Sequence, residues 1–308
     1  MAEITVGMVK ELRERTQAGM GDCKNALVEA GGDLDKAIEI ILKKGIVKAA
    51  SRAGRIAAEG EVRTVISPDS KRGIIAEINC QTDFVARGDE FKNFVTKVCD
   101  VAMTAPEGAD LGALKYPGTD RTVDNVRQEV VAKTGENVVI RRWAIVESNK
   151  PGGYVHAYIH MGGKLAVIVD AETPSAELAK NAEFRTFIDN TAMQIAAMNP
   201  LVVNKSEITP AAIEKQKEIF TAQLKEEGKP EASWPKITEG KVAKWLSEVT
   251  LLGQDSVIEA GMTVEQLRSQ LSQKLGGDIK VHSFVRFGLG DGIEKKSDNL
   301  ADEVAKMI

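Results

Sequence analysis

No apolar run in the 308 residues approaches the ~18 needed to cross a bilayer as a helix, so no membrane partner or membrane span is expected. Missing too are a GxxxxGK[ST] phosphate loop, a GxGxxG turn after a strand and an HExxH zinc motif. The chain is therefore not expected to bind a nucleotide itself or to catalyse a covalent step, and no cofactor is expected. Cysteine is scarce. Cys23, Cys80 and Cys99 are odd in number, far apart and without CxxC spacing, which predicts reduced thiols rather than a disulfide frame. Positive charge is not in excess either: 41 Lys and Arg against 45 Asp and Glu give a net charge of -4. That balance argues against a surface built to neutralise phosphates, and no direct nucleic-acid contact is expected, although a local basic patch is compatible with it. Residues 1–5 lack a basic segment leading into an apolar signal core, and the expected location is the cytoplasm.

What is present is the composition of a globular protein. The apolar fraction is 43%, and the length suggests about two domains. The first 45 residues read as three helices, Val6 to Thr16, Asp22 to Ala30 and Leu34 to Lys43. Asp22 and Asp33 are candidate caps for the second and third, and Gly31-Gly32 for the end of the second. Residues 44–58, with Lys48, Arg52 and Arg55, read as a basic helical linker. A core this thin leaves two readings of Met20: packing inside the unit, or apolar surface kept for a partner.

Beyond residue 60 the pattern repeats. The first copy reads as a hairpin (Glu61 to Ile66, Gly73 to Asn79), helices at 89–103 and Val123 to Lys133, and a strand from Val138 to Val146. The second reads as a hairpin (Tyr154 to His160, Lys164 to Ala171), helices at Ala176 to Met198 and Val264 to Leu275, and a strand from Ile279 to Phe287. Hairpins followed by helices predict an α+β fold of two antiparallel three-stranded sheets with helices on one face. An insertion at about 199–253 adds a helical hairpin: Thr209-Pro210 opens its first helix, and Val242, Trp245, Val249 and Leu252 form a coiled-coil-like seam in the second. The expected division is 1–55, 56–148, 149–287 carrying the insertion, and a C-terminal module at 288–308.

The most informative stretch is Asn79-Cys80-Gln81-Thr82-Asp83-Phe84-Val85-Ala86, at the mouth of a strand-to-helix turn. Unaided, Asp83 reads as a cap and Phe84 as a core residue. Cys80, Asp83 and His160 supply the residue types of a thiol triad, and His156, His160 and Asp170 those of a metal site. Nothing in the sequence fixes the distances that either chemistry needs.

The octet resembles the signature of the translation elongation factor Ts family, the guanine nucleotide exchange factors for elongation factor Tu. Further matches appear in the family's order: residues 12–27 (LRERTQAGMGDCKNAL), Tyr158-Ile159-His160-Met161-Gly162-Gly163-Lys164, and Arg286-Phe287 through Gly290-Asp291-Gly292-Ile293-Glu294-Lys295. The resemblance spans nearly the whole chain. It implies that the N-terminal unit is ubiquitin-associated-like and that the protein is not an enzyme. It also implies that Thr82, Asp83, Phe84 and Val85 form a wedge beside the magnesium site of elongation factor Tu, which loosens GDP. Arg13, Met20, His160, Val257 and Ile258 are then further partner contacts, with a last helix at 299–308 as an arm. Both GDP-bound and nucleotide-free elongation factor Tu are implied as partners, and a homodimer or 2:2 assembly is compatible. The inserted hairpin is a rigid strut or a further contact with the partner or a second copy. Two positions depart from the family pattern, Gln17 and Ala166, each where glycine is usual. The alternatives are an adaptor built on the N-terminal unit and a thiol hydrolase using Cys80.

Overall fold

A computed structural model describes residues 4–16 and 18–294, the side chains of Ile46, Lys48, Ala49 and Ala50 excepted. Gln17, the Lys48 side chain, Lys295 and the helix expected at 299–308 lie outside the described residues.

Three helices come first: α1 (Val6–Thr16), α2 (Met20–Glu29) and α3 (Leu34–Arg52). Val9, Leu12, Cys23, Ala26, Leu27 and Ala37 form their small core. Asp33 caps α3 as expected, its Oδ1 accepting from the Asp35 and Lys36 amides at 3.1 and 3.0 Å. Asp22 does not cap α2. That helix starts two residues earlier, with Gly19 at its N-cap, and Asp22 sits within the first turn, where a negative charge still favours the helix dipole. Gly31 and Gly32, both at positive φ, end α2, and the Gly32 amide returns to the Leu27 carbonyl at 2.9 Å. The linker is not separate: α3 runs unbroken to Arg52, with Gly45 buried near Ala132.

The remaining elements are β1 (Glu59–Ile66), β2 (Arg72–Cys80), α4 (Asp83–Arg87), α5 (Asp89–Thr104), α6 (Val123–Thr134), β3 (Val139–Glu147), β4 (Gly153–His160), β5 (Leu165–Glu172), α7 (Ala182–Met198), α8 (Pro210–Glu226), α9 (Trp234–Val249), α10 (Val264–Leu275) and β6 (Lys280–Gly288). They make two three-stranded antiparallel sheets, β1-β2-β3 and β4-β5-β6, as an α+β reading requires. By compactness the chain divides into two units. The first takes the described parts of Met1–Arg63, Ala76–Trp143 and Gly288–Ile308, and the second takes Thr64–Ile75 and Ala144–Phe287.

The repeat is visible in matching side-chain devices. Thr122 and Asn125 form a capping box on α6; Thr263 and Gln266 form one on α10. Arg127 reaches the Val138 carbonyl, and Arg268 the Ile279 carbonyl. Lys133 pairs with Glu90 of α5, and Lys274 with Glu183 of α7. In the second unit, Val167, Val169 and Ala171 of β5 share a core with Phe184, Phe187, Ile188 and Ile195 of α7 and Val264 of α10. The helix expected from Ala176 starts later, because Asn181 caps it by accepting from the Glu183 and Phe184 amides. The inserted hairpin is observed as α8 and α9, with Thr209 as cap and Pro210 in the first turn. Only Leu224, Thr238 and Val242 are buried in it, so the seam is thin.

In the first unit the Glu77 side chain on β2 is fully buried. Its oxygens accept from Arg141 Nη1 at 2.9 and 3.1 Å, Arg142 Nε at 2.5 Å, Asn79 Nδ2 at 3.1 Å and the Gly290 amide at 2.8 Å. Gly290 has φ of +75°, and a Cβ there would stand 2.7 Å from the Ala58 carbonyl oxygen, so only glycine closes this turn without strain. Burial disfavours the charged carboxyl, but the Gly290 amide, Arg141, Asn79 and Arg142 together outweigh it, and the Glu77 pKa is lowered. A carboxyl held below its unfolded value stabilises the fold above that value, and the contribution is lost as pH falls through the folded pKa. Glu77→Gln is therefore expected to cost about 3 kcal/mol at pH 7, at the low end for a broken buried pair because both guanidiniums keep some water. The gap from wild type should narrow below about pH 4. Urea midpoints at pH 7 and pH 3 check this, and an equal gap at both would refute the linkage.

Candidate partner-binding site

The octet is split by the fold. Asn79 and Cys80 end β2 and are buried, while Thr82, Asp83 and Phe84 stand in solvent and Val85 is half-buried. Thr82 has extended backbone and caps the five-residue α4, its Oγ1 accepting from the Val85 amide at 3.3 Å. Gly88 ends α4 and serves as the N-cap position of α5. Asp83 therefore lies in a first helical turn rather than capping one. It forms a 2.8 Å ion pair with Arg87, one turn on, which at this exposure contributes at most ~1 kcal/mol. Phe84 is 85% exposed, the highest value for any large apolar side chain described. The core reading of Phe84 is thus corrected: its neighbours on α5, Phe91 and Phe94, take the core places and leave it outside.

One residue that sequence reasoning did not single out holds this turn. Glu136, in the loop between α6 and β3, accepts from the Gln81 amide at 3.1 Å and the Thr82 amide at 3.0 Å through one carboxylate oxygen. The other oxygen accepts from the Thr82 hydroxyl at 2.6 Å. The next residue, Asn137, is buried; its amide donates to Gln81 Oε1 at 2.9 Å, and its Nδ2 donates to the Ala53 and Arg55 carbonyls at 3.2 and 2.9 Å.

The other residues singled out in the sequence fall as follows. In the first unit Arg13 is exposed and, with Asp22, Lys44, Glu90 and Arg121, lines a cleft of about 1090 Å³ of mixed charge that includes none of Thr82–Val85. Met20 is 51% exposed, so it is not a core residue. In the second unit His160 is exposed at the end of β4, its Nδ1 3.0 Å from the Tyr158 hydroxyl. Val257 and Ile258 are about half exposed. Their loop is held from beneath by buried Gln194, whose Oε1 accepts from the Val257 amide at 2.8 Å.

The enzyme readings lose their geometry. Cys80 is fully buried, its Sγ donating to the Thr82 carbonyl at 3.2 Å, out of reach of a substrate. Among the described residues no disulfide forms, and burial pushes the Cys99 thiol up to about 12. His156 contacts Asp189 at 3.0 Å. The β4–β5 register pairs His156 with Val169 and Val155 with Asp170, so Asp170 lies on the opposite sheet face from His156. Among the described residues no group of three or more His, Cys, Asp or Glu is arranged to hold a metal ion. Nor is any described helix long and apolar enough to cross a membrane.

A family profile described as "Elongation factor TS" matches residues 81–291, more than half of the chain. The chain belongs to the elongation factor Ts family. Relatives agree over the full length. The "Elongation factor Ts" of Clostridium perfringens (strain SM101 / Type A) is 44% identical over 310 residues, covering 99% of each chain. That of a Nitratiruptor species is 44% identical over 306 residues, again 99% of each. That of Nautilia profundicola is 44% identical over 310 residues and covers all of both. In this family member the second glycine departure has a simple setting: Ala166 is a buried strand residue of β5 opposite Ile159, a place where alanine needs no unusual backbone.

An aromatic ring that touches so little of its own protein should contribute little to stability. Phe84→Ala is expected to change the unfolding free energy by no more than about 0.5 kcal/mol, whereas Phe91→Ala, in the core, should cost about 3–5 kcal/mol. Urea titrations of both variants test the contrast. A Phe84→Ala loss of core size would make the residue structural.

Proposed function

We propose that this protein is a guanine nucleotide exchange factor for elongation factor Tu, acting in translation elongation without catalysing a reaction of its own. The observation that carries the reading is Phe84, presented almost bare on a short, anchored helical turn beside the exposed Asp83. Family membership supplies the partner, because the relatives carry the name elongation factor Ts.

In the proposed mechanism the Asp83–Phe84 turn enters the partner beside its magnesium and phosphate site, flanked by Thr82 and Val85. The metal ion in a phosphate-loop GTPase bridges phosphate oxygens and offsets their charge. Displacing the segments around it, and bringing the Asp83 carboxylate near it, weakens the hold on GDP. Phe84 stabilises that displaced state because its ring is buried only if the partner opens a pocket, a gain of about 1.5–3 kcal/mol.

One ring is not enough. Weakening nucleotide binding 10⁴-fold requires about 5.5 kcal/mol of coupling, and the nucleotide must weaken the factor equally. The remainder is assigned to a wider surface, for which Arg13, Met20, His160, Val257 and Ile258 are the proposed contacts. All five have solvent-accessible side chains. The N-terminal three helices are read as a ubiquitin-associated-like unit; their small core and the exposed Met20 support a docking role.

The test is stopped-flow release of fluorescent GDP from purified elongation factor Tu. The wild-type chain should accelerate release, and the Asp83→Ala/Phe84→Ala variant should lower the saturating rate by about ten- to a hundredfold, the ratio equivalent to the lost wedge contact. A folded wild-type chain that leaves GDP release unchanged would sink this reading and leave the adaptor built on the N-terminal unit.

A further inference from the structure

We propose that Glu136 is a positioning residue for the Asp83–Phe84 turn, fixing the direction in which Phe84 is presented to the partner; this rests on the exchange-factor reading above. A five-residue helix is too short to hold itself in water, and Phe84 has almost no packing of its own. The Thr82 cap closes the turn locally but does not tie it to the rest of the unit. The Glu136 carboxylate does: it gathers two consecutive amides and the capping hydroxyl, at 3.1, 3.0 and 2.6 Å, from a residue more than fifty positions away. Glu136 is itself held, because buried Asn137 beside it is bonded to Gln81 and to the carbonyls of Ala53 and Arg55. The support runs from the end of α3 through Asn137 and Glu136 into the base of the wedge, all within one unit.

The second copy of the repeat acts as an internal control. Aligning Glu90-Phe91 with Glu183-Phe184 places Ser175 at Thr82, Ala176 at Asp83, Glu177 at Phe84 and Pro174 at Gln81. The local cap is kept: the Leu178 amide donates to Ser175 Oγ at 3.3 Å, as the Val85 amide does to Thr82. The long-range clamp is absent on both sides. Gly277 stands where Glu136 does, and Pro174 has no amide proton to give. A Cβ on Gly277 would lie 2.8 Å from Pro174 Cγ, so this copy closes by contact where the first uses a carboxylate. The same fold thus forms without the clamp in the copy that lacks the aromatic. Clamp and aromatic occur together, as expected if the clamp serves the wedge rather than the sheet.

The experiment combines stopped-flow GDP release from elongation factor Tu, at rising factor concentration, with a double-mutant cycle over Glu136→Ala and Phe84→Ala. Glu136→Ala is expected to lower the saturating rate by about tenfold, with the half-saturating concentration changed less than about twofold. In the Phe84→Ala background the same substitution should do nothing further, because there is no ring left to aim. Glu136→Gln, which keeps the shape but trades one acceptor oxygen for an NH₂ facing a donor, should give a smaller loss of the same kind. It also serves as the test variant if Glu136→Ala does not fold. Equal losses in both backgrounds, an unchanged rate, or an effect on half-saturation alone would overturn the proposal. If Phe84→Ala itself exchanges like an active wild type, the wedge role of Phe84 fails and this proposal with it, whereas a wild-type chain that does not accelerate release sinks the exchange-factor reading itself.

Discussion

The buried carboxylate of Glu77 is the constraint on which the first unit depends. Taking a carboxylate out of water costs several kcal/mol, and the fold offsets this only by surrounding it with Arg141, Arg142, Asn79 and the Gly290 amide. Those partners come from β2, β3 and the turn beyond β6, so satisfying one side chain fixes three segments of the unit. Three residues on from Glu77, β2 ends, and the chain turns outward at Gln81 and Thr82. The proposed wedge leaves the protein from a strand end whose place is already settled. In the second copy the matching position is Asp170, and the balance differs: burial pushes its pKa up, and one of its oxygens finds no hydrogen-bond partner among the described residues. One sheet position thus carries a well-compensated carboxylate in one copy and a poorly compensated one in the other.

The duplicated devices divide into those serving the fold and those serving a task. Capping boxes on α6 and α10, the Arg127 and Arg268 contacts to strand carbonyls, and the Lys133–Glu90 and Lys274–Glu183 pairs occur in both copies. Each satisfies a helix end or joins a helix to its neighbour, a need both copies share. Phe84 and Glu136 occur in one copy only. A feature kept twice is explained by packing and polar satisfaction. A feature kept once, exposed to solvent and anchored by a charged group, needs another explanation, and the proposed binding role supplies one.

Much of the fold was legible because it is written at short range. The apolar period set the bounds of α1 and α10, Thr209-Pro210 marked the start of α8, and Met161-Gly162-Gly163 marked the β4–β5 turn. The misses were local competitions. Asp22 is a good capping residue, but Gly19 and Met20 already permit a helix, so the helix began without it. Asn181 out-competed the upstream start expected for α7 by satisfying two amides at once. The octet was singled out through family resemblance, but its mode of display was not legible in the sequence. Periodicity alone cannot tell an aromatic that turns into the core from one left outside. The bond from Glu136 to Thr82 joins positions too distant for any pattern of period two or 3.6. Its one sequence trace is the contrast of Gly135-Glu136-Asn137 with Gly276-Gly277-Asp278 at matching places in the repeat.

A wedge is only as effective as its mount is stiff. Binding energy gathered at remote contacts distorts a partner only if the inserted group resists being pushed back, since a compliant turn would fold away and return the energy as its own deformation. The ring offers about 1.5–3 kcal/mol of burial. Each hydrogen bond to a charged acceptor is worth about 1.5–3 kcal/mol, and the carboxylate beneath the turn makes three. Even with allowance for non-additivity, deforming the base costs more than the burial of the ring supplies. On the proposed function, the partner's pocket is then expected to yield before the turn does. Softness at the same point would leave a factor that still binds through its wider surface but shifts the nucleotide equilibrium little, because its contacts would favour the open and closed states of the partner alike.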